Sequence, residues 1–201
     1  MEFMRQIIYI ATTPGRLDIL QNCLASLKAY DGKYPICIES WYQYDWLDFA
    51  LHNDFDELLF LHDSIEVKDY SIFDLVFESH RGESVSFTGL PFFVMGLGKF
   101  LRKPYLASVF PNKNAYMDYG VGEYTFGPTY VKNDGGKEPF VLFPDFMDEE
   151  QRQHGKVPHF ERKFGRQNMI MENKYIKKYK AHWTYNMLKN VDKNGYQIGA
   201  M

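Results

Sequence analysis

The chain has 201 residues, enough for one domain with a sizeable core, and its 17 Phe, 15 Tyr and 3 Trp argue against a disordered segment. No apolar run approaches the roughly 20 residues of a membrane span, and no N-terminal stretch has the basic, apolar, small-residue order of a secretion signal; the two cysteines, Cys23 and Cys37, sit among apolar neighbours, so we expect a reducing, cytoplasmic setting without a disulfide. The net charge of −3 is unevenly spread: residues 1–98 carry 6 basic and 15 acidic side chains, residues 99–155 carry 7 and 8, and residues 156–201 carry 10 and 3. An acidic first half suits a cation and a basic last part suits an anion, although a charge run also suits a solvated surface.

In chain order, Arg5 to Ala11 predicts a first strand that runs into the polar turn Thr12-Thr13-Pro14-Gly15-Arg16. Leu17, Leu20, Leu24 and Leu27 then recur at helical spacing with Cys23 on the same face, and Pro35 to Glu39 predicts a second strand. Strand, helix and strand at this spacing make a βαβ unit, which closes right-handed with parallel strands. Residues 41–53 predict a short aromatic helix. Leu58-Leu59-Phe60-Leu61 is an apolar run without alternation, as expected of a strand covered on both faces. It is followed at once by His62-Asp63-Ser64.

Tyr70 to Glu78 predicts a helix with Ile72, Phe73, Val76 and Phe77 inward. Residues 84–95 read as β-rich, 96–102 as a short helix and 104–109 as extended. Residues 111–139 read as loops, with a turn or short helix near Gly120-Val121-Gly122-Glu123. Glu138 to Phe146 predicts a last strand, and Ile170 to Leu188 a Lys- and Tyr-rich helix.

Three polar clusters would meet at the carboxyl edge of such a sheet, where open α/β sheets hold their ligands. They are Thr12, Thr13 and Arg16 after strand one, Glu39 after strand two, and His62, Asp63 and Ser64 after the central strand. Together they suit a nucleotide: Glu39 for the base edge or ribose, Arg16 for a phosphate, Asp63 for a divalent metal. Each cluster alone also suits a plain turn or an exposed surface. The chain lacks the Gly-rich dinucleotide fingerprint, a Walker loop, a nucleophile elbow and zinc-spaced Cys or His pairs.

This order of parts resembles the glycosyltransferase A-type (GT-A) fold family, in which a βαβ half binds a nucleotide sugar and an Asp-x-Asp motif ends a central strand. Leu61-His62-Asp63-Ser64 stands in the motif's place, with one carboxylate instead of two. The resemblance implies an open, mixed, mostly parallel α/β sheet flanked by helices, with a Rossmann-like βαβ half, in one domain. Residues 5–98 would form the nucleotide-sugar half and residues 99–201 an acceptor half with a basic C-terminal helix. It implies a glycosyltransferase using a nucleotide sugar, expected to be UDP-linked, with Mn²⁺ or Mg²⁺ held by Asp63, Ser64 and His182. Thr12, Thr13, Arg16, Glu39 and His62 would contact the nucleotide. Lys178 and Lys180, beside His182, would offset the diphosphate charge, and Glu123, or else Asp118, would be the base.

The acceptor expected from the basic last part is 5-hydroxymethylcytosine in phage DNA, as in the TET-associated group. Lys99, Arg102, Lys103, Arg162, Lys163, Arg166, Lys174, Lys177, Lys178 and Lys180 would meet the phosphates, and interleaved aromatics would stack on an extruded base. A glycan or small-molecule acceptor, a non-catalytic nucleotide-sugar or nucleic-acid binding module and, last, a nucleotidyltransferase are the alternatives.

Overall fold

The computed structural model describes residues 4–12, 17–40, 49, 52–87, 98–109, 119–144 and 168–180. In order these form β1 (Gln6–Thr12), α1 (Leu17–Ser26), β2 (Ile36–Ser40), β3 (Glu57–His62), β4 (Ile65–Val67) and α2 (Ser71–Asp74), which continues as a π-helical turn (Leu75–Ser79). Then come β5 (Val85–Ser86), β6 (Gly98–Leu101), α3 (Arg102–Val109), α4 (Tyr119–Asn133), β7 (Phe140–Val141), β8 (Asn168–Glu172) and β9 (Ile176–Lys180).

The architecture is mixed α/β. A six-stranded sheet runs β2-β1-β3-β6-β5-β7, and a second sheet runs β4-β9-β8. In the larger sheet β1 lies parallel to β2 and β3, and β5 parallel to β7, while β6 runs antiparallel to both neighbours. Among the described residues no helix is long and apolar enough to cross a membrane.

All six residues of β3 are buried, which explains the absence of alternation in its sequence: successive side chains enter different cores, and both cores are apolar. Leu59 and Leu61 join Ile8 and Ile10 of β1 on one face, against Cys23 of α1 and Ile72, Phe73, Val76 and Phe77. Leu58 and Phe60 join Tyr9 and Ala11 on the other, against Phe100, Tyr105, Phe126 and Tyr130. The Tyr9 and Phe60 rings stack at 5.4 Å, as their opposed positions in register allow.

The first βαβ unit forms where the spacing places it. Its helix buries Cys23 but leaves Leu24 38 % exposed. The chain then turns back through Gly32, whose φ of +78° suits a residue without a β-carbon. Of the short helix over 41–53, the part described is consistent with a helical turn: Phe49 is buried and Asn53 N–H donates to its carbonyl, 2.9 Å away.

The second half departs from expectation in three places. Gly98–Leu101 is a strand where a helix was expected, because pairing with β3 sets Leu58 opposite Phe100. The residues after it, expected to be extended, form α3; Pro104 is its third residue, where a missing N–H is not needed by the helix. Residues 119–133, expected as loop with at most a turn or short helix near 120–123, form the longer α4 despite an internal Pro128. Phe126 and Tyr130, four residues apart, pack against Phe100 at 5.8 and 5.2 Å, and that burial offsets the poor propensity of its Gly and Pro.

The basic C-terminal helix expected over 170–188 is, in its described part, a β-hairpin. Asn173 turns the chain by accepting the N–H groups of Tyr175 and Ile176 at 2.8 and 2.9 Å. Ile176 and Lys178 then face inward with Lys177 between them less buried, a period of two. Of the strands expected over 84–95 and 138–146, only Val85–Ser86 and Phe140–Val141 are strand among the described residues.

Candidate functional site

The parallel pairing of β1 with β3 sets Ala11 opposite His62, so the next residues, Thr12 and Asp63, emerge side by side at the carboxyl edge. Two bonds tie them. The Asp63 N–H donates to the Ala11 carbonyl at 2.9 Å, and the Thr12 hydroxyl donates to Asp63 Oδ2 at 2.9 Å. Asp63 and Ser64 form the turn between β3 and β4, which is also where the chain passes from one sheet to the other. Antiparallel pairing of β4 with β9 sets Ile65 opposite Lys178, whose ammonium donates to Ser64 Oγ at 2.6 Å. Asp63, Ser64 and Lys178 are 1, 3 and 4 % exposed, His62 is 9 % exposed, and Thr12 is half-buried. Burying an anion and a cation is tolerable when each is hydrogen-bonded and the two signs lie in one cluster.

The cluster's field reaches α1. Burial pushes the Cys23 thiol up to about 12, the Asp63 charge pushes it the same way, and the Lys178 ammonium opposes them. A group with a raised folded pKa contributes stability that is fully present below its unfolded value of 9.0 and is lost as the pH rises through the folded value. We therefore expect alkaline urea titrations between pH 9 and about 12 to show a steeper loss of stability in the wild type than in Cys23→Ala. Equal slopes would show that Cys23 does not titrate as its surroundings require.

The structure brings Thr12, His62, Asp63, Ser64 and Lys178 to this edge. Glu39 pairs in register with Ala11, so its backbone lies at the same edge. β9 runs from Ile176, opposite Val67, to Lys178, opposite Ile65, and therefore heads toward Asp63; its last residue is Lys180. Glu123 lies within α4 and not in a loop. Thr13, Arg16, Asp118 and His182 lie outside the described residues.

Asp63 fits a divalent cation as one hard oxygen ligand at the end of a buried strand. Among the described residues, no group of three or more His, Cys, Asp or Glu converges on such an ion. Ser64 Oγ accepts the Lys178 ammonium, so a cation placed at that oxygen would meet a like charge. Two lysines expected on a face for nucleic acid are reassigned. Lys178 is buried in the cluster, and Lys99 is fully buried against Glu57 at 2.9 Å. Arg102 donates to the Asn53 carbonyl at 2.6 Å and lies over the Phe55 ring, and Lys177 pairs with Glu172 at 3.5 Å.

Sequence reasoning missed the Ser64–Lys178 contact because 114 residues separate the partners. No local signal pointed to it, because Ile176-Lys177-Lys178 does not alternate apolar and polar residues and a lysine stands at the inward position.

A cavity of about 650 Å³ opens at the opposite, amino edge of the sheet, beside Arg5, Lys33, Tyr34 and Arg81. Its charges already satisfy one another: Lys33 pairs with Asp74, Arg81 with Glu78 at 3.0 Å, and Arg5 with Asp54. The carboxyl edge is the better candidate, because its polar groups come from β1, the β3–β4 turn and β9 and converge within the fold. No family model matches the chain, and neither a curated protein nor a solved structure matches it.

Proposed function

We propose that the chain is a GT-A-type glycosyltransferase that moves a sugar from a nucleotide sugar, UDP-linked in the first instance, to a hydroxyl acceptor. The observation that carries this reading is the Thr12–Asp63 bond at the carboxyl edge of parallel β1 and β3, directly after a βαβ unit. A nucleotide laid along this edge would meet Thr12 and the end of β2 at Glu39. Asp63, with Mn²⁺ or Mg²⁺, would hold the diphosphate; a bound cation there neutralises the charge that grows on the leaving group. Lys180, the last residue of β9, would offset part of the diphosphate charge. Glu123, or Asp118 in its stead, would take the proton of the acceptor hydroxyl.

For the acceptor we propose 5-hydroxymethylcytosine in duplex DNA. The burial of Lys99 and Lys178 favours a second class, a glycan or a small molecule, because it removes two cations from the surface that a phosphate backbone would need.

The test is a thermal-shift series of nucleoside diphosphates and nucleotide sugars, each with and without Mn²⁺. A ligand at about one hundred times its dissociation constant adds about 2.7 kcal/mol of stability. We expect UDP with Mn²⁺ to stabilise the chain, after which hydroxymethylated DNA and glycans would be compared as acceptors for the matching sugar. No stabilisation by any nucleotide would overturn the reading.

A further inference from the structure

The cavity at the amino edge of the larger sheet, about 650 Å³ in volume, is of the size that small molecules occupy, roughly 300–1,000 Å³. Its walls are fixed. Tyr34 is 4 % exposed; its N–H donates to the Tyr30 hydroxyl at 2.6 Å, its own hydroxyl donates to Asp74 Oδ1 at 2.7 Å, and its ring lies 4.6 Å from that of Phe77. Pro35, a rigid ring, follows it, and Ile7 of β1 completes the apolar lining. Gln6 is fixed from within the core. Its Nε2 donates to Glu57 Oε2 at 2.7 Å and to the Phe77 carbonyl at 3.3 Å. Both partners only accept, so the amide cannot be turned round, and its carbonyl oxygen is the polar atom left to serve the cavity.

The rim is of another kind. Arg5, Lys33 and Arg81 are exposed, and so are the carboxylates they pair with. Glu78 stands between two of them: it meets Arg81 at 3.0 Å and the Lys33 ammonium at 3.7 Å. Exposed ion pairs contribute little to stability, so a ligand can exchange with them at small cost.

The pairing decides which ligand gains by the exchange. An anion alone would draw a cation away from Glu78 and leave that carboxylate short of a partner, and a cation alone would do the reverse. A molecule carrying both charges exchanges both at once. Its carboxylate takes the cation, its ammonium takes the carboxylate, and no charge is left alone.

We propose that the amino-edge cavity binds a small zwitterion with an apolar side chain, the chemistry of a free α-amino acid. Arg81 and Lys33 receive its carboxylate, Glu78 and the Gln6 carbonyl receive its ammonium, and its side chain lies on Tyr34, Pro35 and Ile7. The site is separate from the carboxyl edge and does not depend on the function proposed there.

The test is calorimetric titration of the whole chain with phenylalanine, leucine and methionine, and with the two halves of the first: phenylpropionate, which lacks the ammonium, and phenethylamine, which lacks the carboxylate. We expect phenylalanine to bind saturably and each half to bind at least tenfold more weakly. Amide resonances of Arg5, Lys33 and Arg81 should move with the titration. Glu78→Gln keeps the side chain's size and removes its charge. It should weaken phenylalanine at least tenfold and bring phenylpropionate level with it, because the anion no longer leaves a carboxylate behind. Arg81→Gln should do the same for phenethylamine, and it decides the matter should Glu78→Gln fail to fold. No saturable binding of any of the three amino acids would overturn the proposal. So would a half that binds the wild type as tightly as phenylalanine, or resonance changes gathered at Thr12 and Asp63 instead, which would place the ligand at the other edge.

Discussion

Replacing Lys99 with Met is expected to destabilise the chain by about 3–5 kcal/mol, the range for removing one partner of a buried ion pair. Both side chains are fully buried and 2.9 Å apart. Lys99 also donates to the His80 carbonyl at 2.6 Å, and its ammonium lies 5.9 Å from the centre of the Phe77 ring. Glu57 accepts two further bonds, from Gln6 Nε2 at 2.7 Å and from the Gly82 N–H at 2.6 Å. Burial pushes the Lys99 ammonium below its ordinary range, and the bond to Glu57 opposes that push. Without Lys99 the Glu57 carboxylate stays in the core with neutral donors alone among these contacts, and the His80 carbonyl loses its donor. Urea unfolding measures the loss. The double variant Glu57→Gln with Lys99→Met should lose less than the two single variants together, by about 0.5–3 kcal/mol, because no unpaired charge remains. A Lys99→Met loss below about 1 kcal/mol would mean that Glu57 is not left as an uncompensated buried charge when its partner is removed.

Asp63→Asn should leave the fold in place and remove most of the function proposed for this edge. The substitution is nearly isosteric and keeps an oxygen to accept the Thr12 hydroxyl, now bonded at 2.9 Å. What it removes is the negative charge. Turnover is expected to fall on the order of 10²–10³-fold, the usual consequence of deleting one electrostatic contact to the charge that develops in a transition state. Titration with UDP and Mn²⁺ should weaken in parallel, and the unfolding midpoint should fall while the fold survives, because the buried Lys178 ammonium loses the opposite charge of its cluster. Unchanged turnover would remove Asp63 from the mechanism. Loss of the fold would instead make Asp63 chiefly a structural member of the buried cluster it shares with Ser64 and Lys178.

The first half of the fold was legible because its signals are local. The 3.6-residue spacing after Leu17, the apolar strands on either side of α1 and the unbroken run Leu58–Leu61 each depend on neighbours in sequence. The second half was not legible for the converse reason. Gly98–Leu101 is a strand because β3 lies beside it. α4 holds because Phe126 and Tyr130 meet Phe100 and Tyr105. Residues 176–180, rich in lysine, carry good helix formers and yet pair with β4 and β8 as strand. In each case tertiary contact outweighed a propensity of a few tenths of a kcal/mol per residue.

The candidate site divides along the same line. That a carboxylate stands at the carboxyl end of a doubly covered strand, after a βαβ unit, follows from the order of residues alone, because side-chain period and chain connectivity determine where a strand ends. Whether that carboxylate would be open or enclosed, and what would enclose it, was decided by the tertiary structure. The partners of Lys99 and Lys178 lie 42 and 114 residues away in the chain. A lysine looks the same in a sequence whether its ammonium faces water or is held in a core, and only the arrival of Glu57 at one and Ser64 at the other settled which.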